Sequence, residues 1–137
     1  MTQEDKEMLF KDLSSRLPYG VKCWASYNKF PTTLVEVNAD TVGDNLFVVT
    51  VKLEKTGLNS PSLIEDIKPY LRPMSSMTEE EQRILDSMCN GVEMVSRLPG
   101  LKMFDKAFNW LNENHFDYRY LIEKGLAIDA TNLNIYS

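Results

Sequence analysis

"TTLVEVNADTVGDNLFVVTVKL", residues 32–53, is the stretch whose reading decides the fold. Its second half, LFVVTVKL at 46–53, is rich in β-branched and aromatic residues and puts Phe47, Val49, Val51 and Leu53 on one face, the two-residue period of a strand. Its first half, TTLVEVNA at 32–39, puts Thr33, Val35 and Val37 on one face. DTVGDN between them reads as a loop with Gly43 free to take positive φ, so the two runs predict a hairpin. An isolated hairpin is marginal in water, so the rest of the chain must cover its apolar face.

Upstream, Val21, Cys23, Ala25 and Tyr27 alternate with Lys22, Trp24, Ser26 and Asn28, which predicts another strand, and NKFPT then reads as a turn. Ahead of that strand, Thr2 with Asp5 forms a capping pattern, and Met8, Leu9, Leu13 and Leu17 recur at helical spacing. A helix is expected from about residue 3 to about residue 16, stopped by LPYG at 17–20. Downstream, TGLNSPS at 56–62 reads as a turn. LIEDIKPYLRPM fits either a strand or a short helical turn, since Pro69 and Pro73 exclude a regular helix.

Thr78 and Glu81 make a full capping box, Ile84, Leu85 and Met88 share a face, and Asn90-Gly91 reads as the stop of a second helix. After a link containing LPG, Leu101, Phe104, Phe108 and Leu111, with Ala107 between them, predict a third helix from about 101 to about 114. LAID at 126–129 reads as a last short strand. Strands and helices are segregated rather than alternating, which gives an α+β class: a small antiparallel sheet of three to five strands, open or curled into a partly open barrel, packed by two or three helices. One domain is expected over residues 1–137, and a chain of this size buries roughly two-thirds of its unfolded surface without metal or disulfide support.

Composition narrows the function classes. Hydrophobic residues at 43% and charged residues at 26% are globular averages, and no apolar run approaches the roughly 20 residues of a membrane helix. The acidic start MTQEDKEMLFKDL lacks a signal-peptide pattern, so a cytoplasmic location is expected. Cys23 and Cys89 are too few for a disulfide framework. They read as reduced, semi-buried small hydrophobes. The net charge of −5 is evenly spread and disfavours nucleic acid unless folding gathers the 15 basic residues into a patch.

Two clusters are candidate sites. NHFDYRYLIEKGLAID carries the only histidine, and His115, Asp117, Tyr118 and Arg119 have the residue types of an active site. One histidine beside one aspartate supplies half of a catalytic constellation, and the structural reading is a corner. In it His115 closes a helix near its last carbonyls, Asp117 caps the turn YRYLIEKG, Gly125 ends that turn with Leu121 and Ile122 buried, and Arg119 serves as an ion-pair partner or a carbonyl clamp. The ligand count fits no usual zinc set, and Walker, dinucleotide and nucleophile-elbow motifs are missing, so no metal, cofactor or catalytic residue is assigned. The second cluster is KPYLRPMSSM, where Pro69 and Pro73 stiffen the chain. Lys68, Tyr70, Arg72, Met74, Ser75 and Ser76 are its partner-binding candidates, against a strap reading with Tyr70 and Leu71 buried. Met74, Met77, Met88, Met94 and Met103 read as gap fillers or as an adaptable surface.

DLSSRLPYGVK at 12–22, IKPYLRPMSSMTEEE at 67–81 and WLNENHFDYRYLIEKGLAIDA at 110–130 together resemble a group of small uncharacterised proteins of gut Bacteroidales and their prophages. That group usually carries glycine at the position of Tyr120. The resemblance brings no activity, cofactor or catalytic residue; it implies a cytoplasmic accessory protein of a bacterium or mobile element. The leading expectation is therefore a non-enzymatic adaptor that binds another protein. A hydrolase-like enzyme would need a pocket lined by His115, Asp117, Arg119 and an acid from elsewhere. A nucleic-acid-associated small barrel would need Lys22, Lys52, Lys55 and Lys68 on one sheet face with Trp24. Trp24, on the strand face opposite Val21 and Cys23, and Trp110, beside the apolar stripe of the third helix, read as half-exposed cover.

Overall fold

The structure, a computed structural model, describes residues 1–40, 46–89 and 97–136. Helix α1 (Gln3–Arg16) is followed by strands β1 (Lys22–Ala25), β2 (Asn28–Asp40), β3 (Leu46–Leu53), β4 (Asn59–Leu63) and β5 (Ile67–Leu71), helices α2 (Glu79–Cys89) and α3 (Arg97–Glu113), and the two-residue strand β6 (Ile128–Asp129). The sheet order is β4-β3-β2-β1-β5-β6, antiparallel except for the β5–β6 pair. The class is α+β as expected, with LAID supplying the sixth strand.

Helix α1 begins where the capping box places it: Thr2 Oγ1 accepts from the Asp5 amide and Asp5 Oδ2 from the Thr2 amide. A 3-10 turn at Leu17–Tyr19 and Gly20, at φ 67°, end it. Ala25 pairs with Asn28, so β1 and β2 are joined by Ser26-Tyr27, and the turn lies earlier than the expected NKFPT. Phe30 and Pro31 belong to β2 instead. The register irregularity between Cys23 and Ala25 accommodates Pro31, which has no amide to give a ladder. Tyr27, expected to follow Val21, Cys23 and Ala25 inward, is thereby carried into the turn and is 49% exposed.

A second irregularity, between Leu34 and Glu36, reverses the parity of β2. Thr32 and Leu34 face the core, Val35 is exposed, and Val37 rejoins the packed face. The expected Thr33/Val35/Val37 face is therefore right only at Val37. In β3 the reading holds: Val49 and Val51 are fully buried, and Phe47 packs against the same core. Asp40 pairs with Leu46, as a β2–β3 hairpin requires, while the Gly43 loop lies outside the described residues.

NSPSL, read as part of a turn, is the edge strand β4. The Leu53 amide bonds Leu58 O at 2.9 Å, and counting by twos from that pair turns the nitrogen of Pro61 toward the open edge. Pro61 thus removes a donor that an incoming strand would use. A three-residue 3-10 turn, Ile64–Asp66, leads from β4 straight to β5, so LIEDIKPYLRPM contains both of its alternatives. A flat sheet would hold β4 and β5 roughly 19 Å apart. Three residues of 3-10 helix advance only about 6 Å, so the sheet must curl. The hydroxyl of Tyr27, in the turn between β1 and β2, meets that of Ser62 on β4 at 2.6 Å. The result is an open, curled sheet whose inner face is covered by Leu9 and Leu13 of α1 against Val21, Val51, Ile64 and Leu71.

Helix α2 starts on the Thr78/Glu81 box, and its expected Asn90-Gly91 stop lies outside the described residues. Helix α3 begins at Arg97, earlier than expected, so Leu98, Pro99 and Gly100 lie in the helix instead of a link; a first-turn proline is tolerated there. Its apolar stripe divides. Ala107 and Leu111 are buried, whereas Phe104 and Phe108 are 44% and 48% exposed. The side chains of Leu101 and Met103, and all of Met94, lie outside the described residues. No described helix is long and apolar enough to cross a membrane.

Candidate functional site

The corner is built on the end of α3. The His115 amide bonds Asn112 O at 3.1 Å and the Phe116 amide bonds Leu111 O at 2.9 Å, with His115 at φ 63°. This is a Schellman closure with histidine in the left-handed position usually given to glycine. Its accompanying apolar contact is the stack of Phe116 on Trp110, centroids 5.6 Å apart. The Arg72 amide and carbonyl then bond His115 O and the Asp117 amide, each at 2.8 Å, which joins the corner to the end of β5.

Apart from the His115 ring, the polar groups that suggested chemistry are engaged in this scaffold. Asp117 accepts the Leu121 amide on one oxygen (2.8 Å) and the Ile122 amide on the other (2.9 Å), as a turn cap does. Gly125 at φ 74° and the bond from the Leu126 amide to Leu121 O close that turn. Tyr118 donates to Asn112 Oδ1 at 3.0 Å. Arg119 reaches Asp12 Oδ1 at 2.9 Å, and Asp12 Oδ2 holds Arg16 Nε at 2.8 Å. Arg16 Nη2 in turn donates to Phe116 O at 2.7 Å. Asp12 and Arg16 are fully buried. Because Leu9, Asp12, Leu13 and Arg16 fall at i, i+3, i+4 and i+7, the packed face of α1 carries this ion pair into the corner.

Both oxygens of Asp117 are taken by backbone amides, and the His115 ring makes a different contact. It stacks on Tyr136, centroids 3.6 Å apart and 9° from parallel. Burial, with Arg16 and then Arg72 nearby, lowers its pKa to about 4, so the imidazole is neutral. A dipole contact made by a charged imidazole at the helix end, the expected stabiliser, is therefore replaced by ring stacking and backbone closure. The Tyr136 hydroxyl accepts from the Lys22 amide (2.9 Å) and donates to Tyr70 O (2.7 Å). It stands where the ladder between β1 and β5 would otherwise continue, and burial raises its pKa. Arg16 Nη1 and His115 Nδ1 have no hydrogen-bond partner among the described residues.

The six residues of the second cluster do not form one surface. Lys68 and Tyr70 alternate with Pro69 and Leu71 in β5, so the first pair lies on the outer face of the sheet and the second on its core face. Arg72 is held inside the fold: Nη1 and Nη2 each meet one oxygen of Glu81 at 2.8 Å, and the guanidinium lies 4.1 Å from the Phe116 ring centroid. That fork, together with the Thr78 amide, lowers the Glu81 pKa to about 2 against a smaller opposing effect of burial. Met74, Ser75 and Ser76 make a 3-10 turn in which Ser76 Oγ donates to Pro73 O. The segment straps the sheet to α2.

Sequence reasoning passed over Tyr136 and the Asp12–Arg16 pair. A charged i, i+4 pair inside an apolar stripe was the available signal for the second; a tyrosine near the end of the chain gives none for the first. No group of three or more His, Cys, Asp or Glu able to hold a metal occurs among the described residues. No protein-family model matches the chain, and no curated protein or solved structure is significantly similar to it.

Proposed function

We propose that the chain is a non-enzymatic accessory module that binds another protein, in the cytoplasm of a bacterium or in the service of a mobile element. The observation behind this reading is the uncovered part of α3. At 100° per residue, Phe104 and Phe108 fall in the angular sector bounded by the buried Ala107, Leu111 and Asn112, yet both aromatic rings are nearly half exposed. The core-facing stripe of the helix runs past the body it packs on. Ile84 on α2 is exposed as well, and Leu85 and Met88 are only half-buried. Large aromatic residues left open in this way favour burial against a partner. The alternative hydrolase-like reading loses support because Asp117 and Arg119 are consumed by the scaffold and His115 is stacked on Tyr136.

The test is affinity capture from the native cell with the wild-type chain and with Phe104→Asp, which places the charge on a ring that is 44% exposed. The reading expects one protein partner recovered by wild type and lost by the variant at an unchanged melting temperature. Equal recovery by both would move the docking surface elsewhere, and hydrolysis of a substrate panel by the pure chain would refute the non-enzymatic reading.

A further inference from the structure

The outer face of the sheet gathers lysines around open and half-open aromatic rings. Lys22 is paired with Thr33 and Thr33 with Lys52, and Trp24 is paired with Lys68. The strand neighbours of these residues, Cys23, Ala25, Val51 and Ile67, are fully buried, so Lys22, Trp24, Lys52 and Lys68 point away from the core. The Lys68 ammonium lies 5.8 Å from the Trp24 ring centroid. At the end of β3, the Lys55 ammonium lies 3.9 Å from the centroid of the exposed Phe30 ring. A cleft of about 410 Å³ adjoins them, lined by Lys22, Phe30, Pro31, Glu54, Lys55 and Ile135 among others.

We propose that this face and its cleft bind single-stranded nucleic acid, with bases stacking on Trp24 and Phe30 and phosphates meeting Lys22, Lys52, Lys55 and Lys68. Two half-open rings interleaved with four lysines combine the stacking platform and the positive track that single strands use. A duplex hides its base faces and could use only the charge. Around Lys22, Lys52 and Lys55 the described acid is Glu54, with Glu36 farther along β2, so lysines outnumber acids at this end of the face. Lys22 binds Glu54 and Thr33, and its hydrogen bond is the largest cause holding the Glu54 carboxyl below its usual range. The net charge of −5 does not cancel this local excess, because screening limits interaction between exposed charges to about 8 Å at physiological salt.

The experiment is fluorescence anisotropy with a labelled twelve-nucleotide oligothymidylate, titrated with the full chain from 50 to 300 mM salt. Saturable binding is expected, with a log–log salt slope of about −2, as for roughly three phosphates neutralised on a single strand. The double variant Lys52→Glu/Lys55→Glu changes two exposed side chains and should keep the circular-dichroism melt while weakening binding at least about tenfold, and the oligonucleotide should quench tryptophan emission in wild type but less in Trp24→Phe. Absence of binding at 50 mM salt, or unchanged binding by the double variant, overturns the proposal. So does a twelve-base-pair duplex that binds as tightly as the single strand. A polyglutamate peptide that binds as tightly as the oligonucleotide would assign the face to an acidic protein segment and overturn it too.

Discussion

The corner around His115 and the outer face of the sheet carry similar residue types and use them in opposite ways. In the corner, Asp12, Arg16, Asp117 and Arg119 bond to one another or to backbone within the fold. On the sheet, Trp24, Lys52 and Lys55 lie open or half-open, with cation–ring contacts but few hydrogen bonds to hold them. The lesson is that a histidine, an aspartate and an arginine close in sequence signal chemistry only if the fold leaves their polar atoms unused. Here the corner is scaffold, and the groups available to a partner lie elsewhere.

The largest effect that would break this contrast is expected at Asp12. Asp12→Ala leaves Arg16 buried without its anion and removes the tie from Arg119, so a loss of roughly 3 to 5 kcal/mol is expected in urea unfolding. A loss below about 1 kcal/mol would mean that the corner does not depend on the pair. Next is Arg72→Ala, which deletes the fork to Glu81 and the cation over Phe116. A cost of about 1 to 2 kcal/mol is expected, reduced by the partial exposure of both side chains. The same change should alter the acid response. Because the folded pKa of Glu81 is depressed to about 2, its contribution is full above its ordinary value of 4.5 and is lost as pH falls toward 2. Wild type should lose this increment across that window, and Arg72→Ala should lose much less.

How legible these regions were depends on how local their causes are. The starts of α1 and α2 were readable because a capping box is a four-residue pattern, and β3 because its alternation is unbroken. The inner face of β2 was not readable, since the irregularity at Val35 shifts its parity and depends on how neighbouring strands fit. The left-handed position of His115 was hidden because glycine is the usual signal there. The exposure of Phe104 and Phe108 was hidden because periodicity reports which residues share a face, not whether the body extends far enough to cover it.

A smaller effect sharpens the scaffold side of the contrast. Tyr120 adopts φ 59° and is 59% exposed, so its side chain supports little while its backbone is strained. Tyr120→Gly should raise stability by up to about 1 kcal/mol in thermal melts, the cost of a left-handed non-glycine residue less the extra chain entropy of glycine. A destabilisation above that size would mean that the tyrosine ring carries packing of its own.

The central claim is that the corner is closed structure, with His115 neutral and stacked. Because the chain has one histidine, its imidazole C–H resonance can be followed by NMR without ambiguity. A depressed folded pKa means that the neutral ring's contribution to stability is full above 6.5 and lost as pH falls toward 4. The account predicts a titration midpoint near 4 in the folded protein, with ring-current shifts from Tyr136 that persist until then. A midpoint at or above 6.5 while the protein remains folded would show an imidazole open to solvent and free for chemistry, and would contradict it.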